Sequence, residues 1–401
     1  MSKKLRLILI ADTDFLKDKV FGLSQHFDLH FFCWGKKSSK EMFLQKYSNK
    51  LSDTNVHLYY DKLSPLTLLR LLLLNIYRFL FYPVLSIRTI SKMLNLYRGD
   101  KKKTFIKFSL YFPIIRLKPD IVHFEFGTLA HTFSDLKQFV DCKTAVSFRG
   151  YDINFTGLDN PVYYKDVWSD FDGFHFLGND LKYRAIKRGY TGGKVEGLIP
   201  PAIDTTLFMP TRAKSAGNKL VIISVGRLTW KKGYEYALQA LAVLKQKRYS
   251  FEYRIVGDGN HRQAIRFAVT ELGLEDVVVL LGALNKHEVQ KELDNAHVFL
   301  HPAVSEGFCN AVIEAQAMAL PVIATNADGL AENIKDGITG FIVPVYNAPA
   351  IAEKLEWCFA NKNELPAMGM EGVKRVQQHF RIEEQVEKFK DFYTRLHASY
   401  Y

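Results

Sequence analysis

Two glutamates, Glu306 and Glu314, stand in the stretch HPAVSEGFCNAVIE, which runs from His301 to Glu314. The apolar run Val298 to Leu300 stops at His301 and Pro302, and Ser305, Glu306 and Gly307 follow before an alanine-rich segment, Ala311 to Leu320, begins. The pattern predicts strand, loop, helix. Glu306 then falls in the loop and Glu314 about one turn into the helix, so the two carboxylates sit at different depths along one wall. The amides of Gly307, Phe308, Cys309 and Asn310 lie at the helix start, where unpaired donors and the positive dipole end favour an anion. An anion flanked by two carboxylates that can hold hydroxyls points to a sugar phosphate or a nucleotide sugar.

Cations follow the same logic. SVGRLTWKKG puts Gly226 and Arg227 just past a strand and Lys232 five residues later, while IVGDG puts Gly257 and Gly259 where backbone must approach a ligand closely. A diphosphate needs two cations and several amide donors, and Arg227, Lys232 and the helix start after Glu306 supply that set. Asp258, between its two glycines, reads as a turn former. Cys309 reads as a small packing residue, and His123 and His301, at strand ends, as hydrogen-bonded structural groups.

These residues need parallel strands behind them, and the chain supplies two sets. In the first half, Leu5 to Ala11, His26 to Trp34, Val56 to Tyr60, Pro119 to Gly127, Thr144 to Gly150 and a run from Gly173 read as strands. In the second, Leu220 to Gly226, Phe251 to Gly259, Asp276 to Gly282, HVFLHP, PVIATNADG and GFIVP alternate with helical segments. Ligands sit beyond the carboxyl ends of such strands, so Phe126, Gly127, Arg149, Tyr151 and Asp152 are cleft candidates on the first-half side. Asp152 could instead cap a helix. A polar segment, Met209 to Lys219, separates the halves, and 401 residues exceed a single core. The expected architecture is α/β: 1–205 an N-terminal acceptor-binding domain, 206–380 a C-terminal nucleotide-sugar-binding domain, and 381–401 a helix returning to the first domain. That helix is amphipathic through Val386, Phe389, Phe392, Tyr393 and Leu396.

Charge divides the chain unequally. Residues 1–210 hold 31 Lys and Arg against 20 Asp and Glu, net +11, whereas residues 211–401 hold 23 against 22, net +1. A basic first half suits an acidic partner: nucleic acid, anionic lipid headgroups or a phosphorylated acceptor. Within it, the run from Leu63 to Tyr97 changes character. On a helical wheel Thr67, Arg70, Asn75 and Arg78 fall within an arc of about 140° and most leucines face the other way; Pro83 should kink or end that helix. An interfacial helix on an anionic membrane and a domain helix buried on one side both fit. Stacked aromatics interleaved with basic residues, the pattern for single-strand nucleic acid, are not evident. No apolar run is long enough to span a bilayer, and MSKKLRLILIADTD reads as a first strand, so a cytoplasmic protein with peripheral contact on the inner face of the membrane is expected. Cys33, Cys142, Cys309 and Cys358 are scattered, which argues against disulfides and a structural zinc.

SVGRLTWKKG, IVGDG and SEGFCNAVIEAQAMALPVIAT with GLAENIKDGITGFIVP resemble the family 4 retaining glycosyltransferases (glycosyl transferases group 1), whose E-x7-E is matched by Glu306 and Glu314. The motifs cover most of residues 220–345; the first domain matches more loosely, through SFRGYDI. The resemblance implies a GT-B fold, two Rossmann-like doubly wound domains facing across a cleft, and a hexosyltransferase acting from a UDP- or GDP-sugar. By it, Arg227 and Lys232 hold the donor diphosphate and stabilise it as it leaves. Glu306 binds hydroxyls of the donor sugar, the amides of Gly307 to Asn310 help bind sugar and phosphate, and Glu314 holds the ribose. The family transfers with retention and usually without metal or other cofactor, and no DxD triplet stands in a plausible metal loop; Asp12 and Asp14 read as turn residues. The expected acceptor is a glycan or glycolipid, lipid-linked or part of a surface polysaccharide such as capsule, exopolysaccharide or lipopolysaccharide.

Two departures stand out. Relatives often carry His where this chain has Arg149, a permanent fork donor suited to a carboxylate or phosphate, so Arg149 reads either as recognising an anionic substrate or as bonding a hydroxyl or the backbone. The loop ADTDFLKDK lacks the glycine pair common in relatives. An epimerase or phosphorylase on the same architecture, or a non-catalytic basic membrane or nucleic-acid binder, are the alternatives.

Overall fold

In a computed structural model, residues 4–11, 16–34, 55–59, 64–212, 214 and 217–399 are described. The turn residues Asp12 and Asp14 and the start of the Leu63 to Tyr97 segment lie outside them. The chain forms two compact units: one comprises Met1–Phe176, Arg184–Leu198 and Val386–Tyr401, the other Leu177–Tyr183 and Ile199–Gln385.

The first unit is built on seven parallel strands among the described residues: β1 (Arg6–Ala11), β2 (Asp28–Trp34), β3 (Val56–Tyr59), β4 (Ile121–Phe124), β5 (Lys143–Phe148), β6 (Gly173–Phe176) and β7 (Val195–Leu198). Their order is β3-β2-β1-β4-β5-β6-β7. The central strands β1, β4, β5 and β6 are almost wholly buried, which is why they read as unbroken apolar runs in the sequence. By contrast β7, VEGL, went unread: it is an edge strand whose Val195, Glu196 and Leu198 stay partly open, so it carries no apolar run.

Three helices follow β3 in this unit: α1 (Pro65–Phe81), α2 (Pro83–Leu96) and α3 (Lys101–Leu117). Ser64 caps α1 by accepting from the Thr67 amide at 3.1 Å, and Pro65 fits the first turn, where no N–H is needed. Pro83 does not merely kink the segment; α1 ends at Phe81 and α2 starts on the proline. Asp100 caps α3 through the Lys103 amide at 2.9 Å, and α3 accommodates Pro113 internally, so the lysine run Lys101 to Lys103 is a helix start.

The second unit repeats the scheme with six parallel strands: β8 (Leu220–Val225), β9 (Phe251–Val256), β10 (Val278–Gly282), β11 (Val298–His301), β12 (Val322–Thr325) and β13 (Gly340–Val343), in the order β10-β9-β8-β11-β12-β13. One core lies under the helix Tyr234–Gln246, with Leu238, Leu241 and Leu244 on Leu220, Ile222 and Leu300; the other lies under α4 (Asn310–Ala317), with Val312 and Ile313 near Phe299 and Val322. In both units chain order places the first strand beside the fourth, so the crossovers reverse there, and loops after those strands carry the side chains that matter.

The final helix α5 (Ile382–Ala398) packs on the first sheet through the residues its periodicity named. Phe392 and Leu396 lie over Gly173, where a Cβ would come within 3.0 Å of Leu396, and Tyr393 Oη lies 2.5 Å from His123 Nδ1.

Candidate active site

In the second unit, four loops meet at the carboxyl ends of β8, β9, β11 and β12. Gly226 N donates to Val256 O at 2.9 Å, and Gly257, at φ +143°, lies so close to Gly226 that a Cβ would come within 1.9 Å of its carbonyl oxygen. Only glycine fits at position 257. Lys231 O accepts from the amides of Val304 at 2.8 Å and Ser305 at 3.3 Å, which ties the cationic loop to the glutamate loop. Asp328, unnoticed in the sequence, fixes the second loop by accepting from Ser305 Oγ at 2.5 Å and from the Glu306 amide at 3.0 Å through one oxygen. Its only cue was the dipeptide Asp-Gly after a strand, which marks a turn in most contexts.

That scaffold joins Lys232 to Glu306. The ammonium donates to Glu306 Oε2, and His301 Nε2 lies 3.7 Å from the same oxygen. Burial would raise the Glu306 carboxyl, but Lys232 and His301 outweigh it and hold the group down to about 2. Burial likewise opposes the charge on Lys232, yet the anionic neighbours Cys309 and Glu306 raise it above its ordinary value. His301 is more than a structural strand end: its Nε2 also lies 3.4 Å from Cys309 Sγ. Burial would raise the Cys309 thiol; His301 and Lys232 bring it below its usual value instead. One nitrogen of His301, an oxygen of Glu306 and the sulfur of Cys309 lie within 4.8 Å of one another, a set that could ligate a metal. Lys232 already balances the carboxylate from within the protein.

The Arg227 and Glu314 side chains stand apart from that pair. Arg227 is exposed, and its guanidinium makes no ion pair or hydrogen bond among the described residues. The Glu314 carboxyl, on α4, makes none either, and burial pushes it up to about 6 against the opposing pull of Lys286. At the start of α4 the amides do not all stay open: Cys309 N lies 3.4 Å from Asn333 Oδ1, whose Nδ2 donates back to Cys309 O at 3.2 Å. Gly307, Phe308 and Asn310 keep amides with no protein acceptor among the described residues. Asp258 turns the chain, accepting from the Gly259 amide at 2.8 Å.

In the first unit, the sequence-predicted residues assemble around one they omitted. Glu125, fully buried after β4, accepts from Arg149 Nη2 at 2.8 Å and from Lys19, and Arg149 Nε donates to the Glu125 carbonyl at 3.0 Å. The Arg149 guanidinium lies 5.2 Å from the Phe126 ring centre. Its charge is therefore met inside the protein, which weighs against the reading of Arg149 as a free anion receptor. Burial would raise Glu125, but Lys19, His123 and Arg149 hold it far below the usual carboxylate range; burial lowers Lys19 to about 8 despite Glu125. Ser147 links Glu125 to His123 and His175, 2.8 and 2.7 Å from their ring nitrogens.

Of the two readings of Asp152, the structure shows the helix cap. Rather than facing a ligand, it is fully buried and accepts from the amides of Thr128 at 3.1 Å and Arg149 at 3.0 Å, capping the short helix Gly150–Asn154. Tyr151 is 62% exposed, and Gly127 is buried where a Cβ would lie 2.4 Å from the Phe148 ring. Glu125 escaped notice because FEFG reads as the end of an apolar strand; only the fold brings Lys19 and Arg149 to it.

Residues 209–375 match the family described as Glycosyl transferases group 1. The chain is 32% identical over 248 residues, 59% of its length, to the Escherichia coli (strain K12) protein WcaL, named for a glycosyltransferase role in colanic acid biosynthesis, and spans 61% of that relative. It thus covers about three fifths of the length of that curated relative. Among solved structures, sucrose-phosphate synthase from Thermosynechococcus elongatus superposes with a TM-score of 0.74 at 18% identity, over 99% of this chain and 100% of that one. Anabaena HepE in complex with UDP and glucose gives 0.72 at 13% identity, over 97% and 99%. The chain carries the GT-B fold, and residues 209–375 are similar to the glycosyl transferases group 1 family.

Proposed function

We propose that this chain is a retaining, metal-independent glycosyltransferase that moves a sugar from a UDP- or GDP-sugar to a lipid-linked or surface-polysaccharide acceptor. The observation that carries the reading is the state of the second unit's loops. One cation, Lys232, is pre-paired with a carboxylate held ionised, and beside them stand an unengaged arginine, open helix-start amides and an unengaged carboxyl. Arg227 and Lys232 stabilise the departing diphosphate, and the amides of Gly307, Phe308 and Asn310 receive its oxygens. Glu306 and Glu314 accept from sugar and ribose hydroxyls. When the donor arrives, Lys232 shares its charge between Glu306 and phosphate, so binding rearranges a pair that already exists. The acceptor oxygen attacks the anomeric carbon on the face the diphosphate leaves; the C–O bond to phosphate breaks as the new one forms, and the leaving phosphate oxygen takes the acceptor proton. No protein base is needed for that balance.

The acceptor falls to the first unit, near Arg149 and Phe126, and the protein works peripherally at the inner face of a membrane. Among the described residues no helix is long and apolar enough to cross one. Thermal-shift screening against UDP-, GDP- and ADP-sugars, followed by transfer with and without a chelator, tests the reading. Stabilisation by one nucleotide class and chelator-resistant transfer are expected; no response to any nucleotide would overturn it, and chelator-sensitive transfer would overturn metal independence.

A further inference from the structure

Helix α1 is turned inside out. The side toward its own unit buries one leucine, Leu71, beside a polar group: Asn75 Nδ2 donates to Ser109 Oγ at 2.7 Å, and Arg78 Nη1 donates to Asn75 Oδ1 at 2.8 Å and to Ser109 O at 3.1 Å. Ser86 of α2 closes the arrangement by donating to Arg78 O at 3.1 Å. The side away from the unit carries Leu69, Leu73, Ile76 and Leu80, continued on α2 by Val84 and Ile87; Leu80 is 69% and Val84 79% exposed. A helix against water does the reverse, burying its leucines and leaving arginine and asparagine outside. A surface of this kind has an apolar medium or partner opposite it.

Charge selects the partner. Between Ser64 and Lys118 the chain holds eleven Lys and Arg and one acidic residue, Asp100, which caps α3. Arg88 and Lys92 on α2 and Lys101 to Lys103 at the start of α3 are exposed. Two copies of this surface would bring like charge together around a shared apolar patch, whereas anionic headgroups complement it. Seventeen residues of helix extend about 25 Å, and α1 is too short and too polar on one side to span, which leaves it lying in the plane of the interface.

We propose that α1 and the start of α2 form an insertion surface for an anionic lipid bilayer, with the leucine face at the acyl boundary and Arg88, Lys92 and Lys101 to Lys103 on headgroup phosphates. This deepens the membrane-borne acceptor reading and rests on it for its purpose, but its test reads binding alone, so the two fail separately.

The full chain is floated with vesicles of phosphatidylcholine, alone or mixed with phosphatidylglycerol. Wild type floats with the mixture, and the combined Leu73→Ser, Ile76→Ser and Leu80→Ser variant loses about tenfold or more in partitioning. Replacing Lys101, Lys102 and Lys103 with Gln weakens binding at low salt more than at high salt. Both variants keep the wild-type response to nucleotide. Because Cys33, Cys142, Cys309 and Cys358 are buried, a polarity-sensitive dye on Leu73→Cys labels selectively, and its emission shifts to the blue on anionic vesicles. Equal partitioning of wild type and the triple serine variant, or an unshifted dye on bound protein, overturns the proposal. So does a vesicle-free dimer that the triple variant dissociates, since a second copy would then cover this face.

Discussion

The two units each gather carboxylate and cation at strand ends, yet they finish the job differently. In the first, Glu125 is surrounded by Lys19, Arg149 and Ser147, and every charge in the group meets an internal partner. In the second, Lys232 and Glu306 are paired, while the side chains of Arg227 and Glu314 make no hydrogen bond or ion pair among the described residues. A closed cluster holds a shape. An open one is completed by something that binds, and the difference separates residues that support a site from residues that fill it.

The largest effect should come from opening the closed cluster. Glu125→Ala leaves the buried Lys19 and the partly buried Arg149 beside each other without their anion and should cost about 3–5 kcal/mol of stability, measured by denaturant unfolding. A loss below about 1 kcal/mol, the value of a solvated pair, would erase the contrast between the units. Next, Lys232→Ala should lower transfer by about 10²–10³-fold, the size of losing one preorganised donor to developing charge. Unchanged turnover would mean that Lys232 serves Glu306 alone.

Arg227→Ala should leave the unfolding midpoint where it is, because the side chain is exposed and unpaired, and weaken donor binding by about tenfold to a hundredfold. Calorimetry and unfolding on the same sample separate the two; a drop in stability without a drop in affinity would assign Arg227 to the scaffold. The smallest effect concerns pH. Glu314 sits at about 6 because burial disfavours its charge, so its ionised form, the better acceptor for hydroxyls, is lost as pH falls through 6. Donor affinity should fall about tenfold between pH 7 and pH 5, and Glu314→Gln should flatten that dependence. Glu306 will not contribute there. Its carboxyl, held at about 2, contributes stability that is complete above its ordinary value of 4.5 and is lost only as pH falls toward 2.

Much of this was legible along the chain. Buried parallel strands declare themselves as apolar runs ending in glycine or a polar residue, so both sheets could be read, the loop residues Gly226, Arg227, Lys232 and Glu306 could be placed past strand ends by counting, and Glu314 could be placed on the helix that follows. The edge strand β7 could not, because half-open backbone needs no apolar run. Position along the chain says where a side chain starts, not what it meets. The pairing of Glu125 with Lys19 and Arg149 spans separations of 106 and 24 residues, and that of Lys232 with Glu306 spans 74.

The sequence by itself determined the two-unit α/β architecture, the loops that carry chemistry and the polar arc of α1, because these follow from local periodicity and backbone preference. Tertiary structure alone decided which charges are spent and which remain available. It placed Arg149 on Glu125, chose the cap over the cleft for Asp152, drew His301 and Cys309 to Glu306, and turned every leucine of α1 but Leu71 outward. The reason is physical: charge compensation and desolvation depend on distances across the fold, which periodicity along one chain does not encode.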